Sequence, residues 1–164
     1  MKHIEYLENI ERKLNRHFDI KKDFFCKDIK IDLFAKYFLR NERYIGSKKA
    51  SIYAFENNEY CLIKYFNHLD QEKLQNFMEH IKAAVTDLVT PNEEHMSSIV
   101  TGVVVIDADC DEEMARIVEK FRFHKSFAFG FKGWVDIRLL LVSLDNHEIT
   151  TNKKGKEVKD VYQP

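Results

Sequence analysis

Asp107, Asp109 and Asp111 alternate directly after an apolar run, and carboxylates at positions one, three and five are how a calcium loop begins to collect oxygen ligands. Such a loop also needs glycine at its sixth position for the sharp turn and a bidentate glutamate at its twelfth. Those positions hold Glu112 and Val118. The acids are therefore read as helix-capping groups, each favourable at a helix N-terminus by about 0.3–1 kcal/mol. The histidines, His3, His17, His68, His80, His95, His124 and His147, include no pair three or four residues apart, so no single helix or hairpin presents two imidazoles to one ion. Neither a metal site nor a cofactor is expected. Cys26, Cys61 and Cys110 are odd in number, far apart and never spaced Cys-x-x-Cys, which predicts free thiols. Glycine stands only at 46, 102, 130, 133 and 155, too sparse for a loop that wraps a phosphate, and no Gly-x-Ser-x-Gly elbow is present. No catalytic residue is assigned.

Binding chemistry is better represented. From 121 to 131 the odd positions carry Phe121, Phe123, Phe127, Phe129 and Phe131, while Arg122, His124 and Lys132 fall at even ones. Read as a strand, this stretch turns at Lys132-Gly133 into a second strand from Trp134 to Leu144. The phenylalanines then face the core or a subunit interface, because five exposed rings would form an aggregating patch. If the polar parities of both strands share a sheet face, Arg122, His124, Trp134 and Arg138 form a cationic, aromatic surface suited to an anionic or planar partner.

The elements that must carry this surface follow from periodicity. Ile4, Leu7, Ile10 and Leu14 recur at helical spacing within residues 3–16, predicting an amphipathic helix. From 30 to 40, Ile31, Leu33, Ala35, Tyr37 and Leu39 alternate with polar residues as in a half-buried strand. Two β-rich runs, Lys49 to Phe55 and Glu59 to Phe66, flank Glu56-Asn57-Asn58-Glu59, and Asn tolerates the backbone of a tight turn, so an antiparallel hairpin is expected. Asp70 precedes the stripe Leu74, Phe77, Met78, Ile81, Ala84, Val85 and Leu88, the pattern of a long capped helix. It must stop before Pro91, with Asn92-Glu93-Glu94-His95 as a loop. The run from Ile99 to Ile106 is apolar enough for a strand covered on both faces, hence a sheet centre. Asp109 and Glu112 have capping-box spacing before a short helix through Met114, Ile117, Val118 and Phe121. A short strand from Glu148 to Thr151 and a polar tail over about 152–164 complete the chain. The expected fold is one α+β domain over 1–164. Its mixed, mostly antiparallel sheet has an N-terminal helix, one long and one short helix, in the order α-β-β-β-α-β-α-β-β-β.

Two resemblances attach to these elements. Val103-Val104-Val105-Ile106-Asp107-Ala108-Asp109 resembles the strand that opens the haloacid-dehalogenase-type phosphatases, which implies Asp107 as nucleophile, Asp109 as general acid/base and Mg²⁺ beside them. Cys110 stands where that family carries Thr or Val. Over residues 3 to 107 the order helix, three-stranded meander, helix, strand resembles the restriction-endonuclease-like fold. That resemblance implies an Asp on the second strand and a Glu-x-Lys on the third, holding Mg²⁺. The third strand reads Tyr60-Cys61-Leu62-Ile63-Lys64, with Leu62 in the place of the Glu. Length and composition also resemble those of small uncharacterised α+β proteins of Gram-positive anaerobic bacteria, which implies no site.

Composition narrows the function classes. The 164 residues are 45% hydrophobic and 32% charged, an ordinary globular balance. A chain of this length buries roughly 70% of its unfolded surface without a metal or disulfide staple. The formal net charge of -1 creates no field toward nucleic acid, and no run approaches the roughly 18 apolar residues of a membrane span. A cytoplasmic location follows from the lack of an apolar N-terminal leader. A complete core without a chemical constellation points to a non-catalytic interaction or regulatory module, its partner a protein or a second copy of the chain. The alternative is a degenerate or active metal-dependent enzyme of the nuclease or phosphatase type.

Overall fold

A computed structural model describes residues 2–44, 51–91 and 95–164. Helix α1 (Lys2–Leu14) is followed by strands β1 (Asp19–Cys26), β2 (Ile29–Tyr44) and β3 (Ser51–Phe66). Helix α2 (Gln71–Leu88), strand β4 (His95–Ile106), helix α3 (Glu112–Lys120) and strand β5 (His124–Ser126) come next. Strands β6 (Trp134–Ser143) and β7 (Glu148–Thr151) precede a C-terminal 3-10 segment, Lys154–Tyr162. The fold is α+β, as the periodicities predict. Among the described residues seven strands form one mixed sheet in the order β1-β2-β3-β4-β6-β5, with β7 also paired to β6. β1-β2-β3 is an antiparallel meander, β3, β4 and β6 are parallel, and β5 and β7 run against β6.

The parallel pairs need crossovers, and α2 and α3 supply them. Both lie on one face: Phe77, Ile81, Met114 and Val118 share a buried cluster with Leu62, Val100, Val104 and Leu139. Opposite them, Tyr6 and Ile10 of α1 and Tyr162 of the C-terminal segment pack on Ile63, Val103, Val105 and Leu140. Strand β4, buried between, therefore contributes valines to both clusters, and its continuously apolar sequence follows from that position. Helix α2 lies close over it, since a Cβ at Gly102 would sit 3.2 Å from both Phe77 and Ile81. The Asp70 side chain caps α2 by accepting the Lys73 N–H at 2.8 Å.

Several elements depart from expectation. Glu56 to Glu59 is not a turn: it runs mid-strand in β3, with Tyr37 opposite Glu59 and Arg40 opposite Glu56 on β2. Ladders with β2 on one side and β4 on the other satisfy that backbone and outweigh the turn preference of two asparagines. The sequence order still matches because β1, an unexpected strand, takes the lost strand's place. The expected strand start at Lys49-Ala50 and loop at Asn92-Glu93-Glu94 lie outside the described residues. Asp111, not Asp109, caps α3, accepting the Met114 N–H at 2.8 Å.

The phenylalanine strand is also corrected. Only His124–Ser126 is extended, because α3 runs to Lys120 and Phe121 closes its buried stripe. Ala128, Phe129, Gly130 and Gly133 have φ of 48°, 56°, 90° and 87°, so the chain turns left-handed there. Phe123 and Phe127 rest on the core, but Phe129 is fully exposed and Phe131 nearly so. The expected polar tail is instead docked. Tyr162 is buried, it accepts the Tyr6 hydroxyl at its carbonyl at 2.7 Å, and its own OH meets Cys61 Sγ at 3.1 Å.

Candidate functional site

Strand β6 is paired along one side to β4, while its other side is divided between β5 and β7. Between those two short partners Asn152, itself buried, bridges the gap. Its Oδ1 accepts the N–H groups of Leu139 (3.0 Å) and Gly155 (2.8 Å), and its Nδ2 donates to the carbonyls of Ile137 (3.1 Å) and Phe121 (3.4 Å). This single side chain holds the end of α3, the middle of β6 and the start of the C-terminal segment together. Beside it opens a cleft of about 380 Å³, with Arg122, His124, Asp136, Lys153, Lys154 and Glu157 in its wall.

Pairing register decides which side chains meet there. His124 lies opposite Asp136 and Ser126 opposite Trp134, so alternate residues of β5 and β6 share a face. His124 Nδ1 is 2.7 Å from Asp136 Oδ1, and His124 Nε2 is 3.2 Å from Ser126 Oγ. A carboxylate can only accept, so Nδ1 carries the proton, and in the neutral ring Nε2 accepts the serine hydroxyl. Arg122 donates from Nη1 to the carbonyls of Glu119 (2.6 Å) and Phe121 (2.7 Å), capping α3.

Of the four residues expected to form a binding surface, Arg122 and His124 line the cleft, and Trp134 is half-buried on the His124 face beside it. Arg138 does not present its charge to solvent. It is only 7% exposed and donates to Glu157 Oε2 at 2.9 Å and Glu59 Oε2 at 3.4 Å. Lys154 bonds the other oxygen of Glu157 at 2.7 Å. Lys154 first and Arg138 second hold the Glu157 carboxyl below its ordinary value of 4.5. Ser126, Asp136, Lys153 and Lys154 were not expected in a site. The His124/Ser126 spacing carries the signal for Ser126, but Lys153 and Lys154 reach the cleft only because Asn152 folds the C-terminal segment back.

A second polar cluster lies at the C-terminal ends of β3 and β4. The His3 ring stacks on Tyr65 at 3.8 Å between centroids. Asp107 Oδ2 accepts the Tyr65 hydroxyl at 3.1 Å and lies 3.3 Å from His3 Nδ1. Burial first, and that bond second, raise the Tyr65 phenol. Asp107 thus ties α1 to the sheet. Among the described residues no group of three or more His, Cys, Asp or Glu is placed to hold a metal ion, and no helix is long and apolar enough to cross a membrane.

No curated protein and no solved structure matches the chain. A family model, that of a domain of unknown function designated DUF8052, matches residues 2–164. The sheet, both helical layers and the cleft all fall inside that match, and the chain belongs to the DUF8052 family.

Proposed function

We propose that this protein is a cytoplasmic interaction or regulatory module that engages an acidic segment of a partner protein in the cleft beside β5. The observation that carries the reading is the composition of the cleft wall, where Arg122, Lys153 and Lys154 face the two carboxylates of Asp136 and Glu157. Both carboxylates already have partners within the chain. Lys154 is one of those partners, so the wall carries one cation more than it has carboxylates, and an incoming carboxylate meets Lys153 together with the donors of Arg122 that α3 does not use. The exposed Phe129 and Phe131 on the adjoining turn add the apolar contact area that anchors binding surfaces. Chemical-shift mapping of the labelled protein tests this with a glutamate-rich hexapeptide, using K153E/K154E as the control. Saturable shifts confined to Arg122, His124, Lys153 and Lys154, and lost in that variant, are expected. Shifts spread evenly over all surface lysines, or none, refute it.

The strand order supports a second reading, a degenerate metal-dependent nuclease. In β1-β2-β3-β4-β6 only β2 runs against the rest, and Asp32 accepts the Tyr65 N–H at 2.7 Å where β2 leaves β3. Degeneracy rather than activity is favoured because Leu62, in the place of the metal-binding Glu, is core. Lys64 is also committed, donating to the Lys30 carbonyl at 2.8 Å. Millimolar Mg²⁺ or Mn²⁺ should leave the melting temperature unchanged, because a ligand that binds only the folded state must raise it. A rise abolished by Asp32→Ala would favour an active enzyme.

A further inference from the structure

Ser126, His124 and Asp136 stand in a hydrogen-bonded row, and the binding reading makes no use of that connection. The row has the three parts of an activated nucleophile: a hydroxyl, a base within hydrogen-bond reach, and a carboxylate that fixes the base's tautomer. Adjacent strands supply it, with His124 directly across from Asp136 and Ser126 two residues along the same face. The two distances, 3.2 Å and 2.7 Å, are those of formed hydrogen bonds. Asp136 is mostly covered, its side chain 20% exposed, whereas His124 is 58% exposed and open to a reactant. The turn that follows Ser126 carries the exposed rings of Phe129 and Phe131, an apolar flank for a short acyl chain. His124 and Asp136 also line the cleft that carries Arg122 and Lys153, so the base of the row borders a wall with cations in it.

We propose that Ser126, His124 and Asp136 form a nucleophile–base relay that takes an acyl group from small apolar activated esters and passes it to water. In the first half, Ser126 Oγ forms a bond to the acyl carbon as its proton moves to His124 Nε2. The ester C–O bond then breaks, and that proton leaves with the departing oxygen. In the second half, water gives a proton to Nε2 and its oxygen bonds the acyl carbon. The Oγ–C bond breaks, and the proton returns to Oγ, leaving one carboxylic acid and one alcohol with no redox change. Asp136 is a positioning residue, acting through His124. Base assistance of this kind contributes typically about 10²–10⁴-fold, and the exposure of His124 places this site at the lower end.

The inference is independent of partner binding. Its test uses the full chain with p-nitrophenyl butyrate and, separately, a fluorophosphonate probe located by peptide mass mapping. The expected result is one adduct on Ser126 and a hydrolysis rate about 10²-fold above that of Ser126→Ala. Adduct formation should be suppressed in His124→Ala, and Asp136→Asn should lower kcat with KM unchanged. All three side chains lie outside the buried clusters, and unchanged melting temperatures check that the variants fold. An adduct absent from Ser126, labelling undiminished in His124→Ala, or a Ser126→Ala rate equal to the parent's overturns the proposal.

Discussion

Asn152 shows how much structure one side chain can carry. It satisfies two N–H groups and two carbonyls that belong to three different elements, and it is buried while doing so. Asn152→Ala leaves those groups without partners, each costing about 1–3 kcal/mol when unpaired. A total loss of at least about 3 kcal/mol is expected in urea unfolding, and a loss under about 1 kcal/mol would mean that water replaces the amide. Nothing in Thr151-Asn152-Lys153 announces this role, because an Asn in a polar stretch is ordinarily a turn residue. The cysteines are different, since their absence of pairing was legible from spacing and all three are free. Burial pushes the Cys61 thiol up to about 11, and Cys110, half-covered beside Asp111, also rises to about 11. Reactivity follows the thiolate, so at neutral pH alkylation should be slow at both. Cys61, fully buried, should react only after denaturation, as mass mapping at successive urea concentrations would show.

At the scale of elements, what could be read depended on whether one face of an element is buried. The α2 stripe was plain because six of its apolar positions, Leu74 to Val85, are buried against the sheet. Phe77 has no exposed surface, so Phe77→Ala should cost about 3–5 kcal/mol. Gly102→Ala should cost about 1–3 kcal/mol by overpacking, since its new methyl meets Phe77 and Ile81 at 3.2 Å. Thermal unfolding of the two single variants and the double tests this: costs that simply add would show that the two sites do not share one contact. Strand β1 was invisible for the opposite reason. It is an edge strand, mostly exposed on both faces, with Lys21, Lys22 and Asp23 in mid-strand and a positive φ of 49° at Asp23 breaking the alternation. The phenylalanines from 121 to 131 misled because a two-residue period was read through a helix end, a three-residue strand and a left-handed turn. Of the four site residues read from that period, Arg138 shares the parity of Trp134 and Asp136 but spends its charge within the chain. Its partners Glu59 and Glu157 lie 79 and 19 residues away, beyond any local pattern.

Across the whole molecule the two helical layers clamp one sheet, and Arg138 of β6 ties it to Glu59 of β3 and to Glu157 of the C-terminal segment. Glu157 contributes a pH dependence whose sign is fixed. Its carboxyl is held below 4.5 in the folded state, so the stabilisation is complete above that value and is lost as pH falls through the lowered one. Urea midpoints measured from pH 7 down to about 3 should therefore fall less steeply for Glu157→Gln than for the parent, and only modestly so, because the side chain is partly solvated. The class of the fold was legible from the periods of α1, α2, β4 and β6, whereas its closure was not, since closure rests on contacts between the two ends of the sequence. Tyr6 of α1 is fastened to Tyr162, and Lys13 to the carbonyls of Val161 and Gln163 at 3.1 Å and 3.3 Å. During synthesis, which proceeds from the N-terminus, α1 is thus made well before the segment that completes its fastening. A nascent chain arrested before Tyr162 leaves the ribosome should hold the sheet with α2 and α3 while α1 stays protease-sensitive.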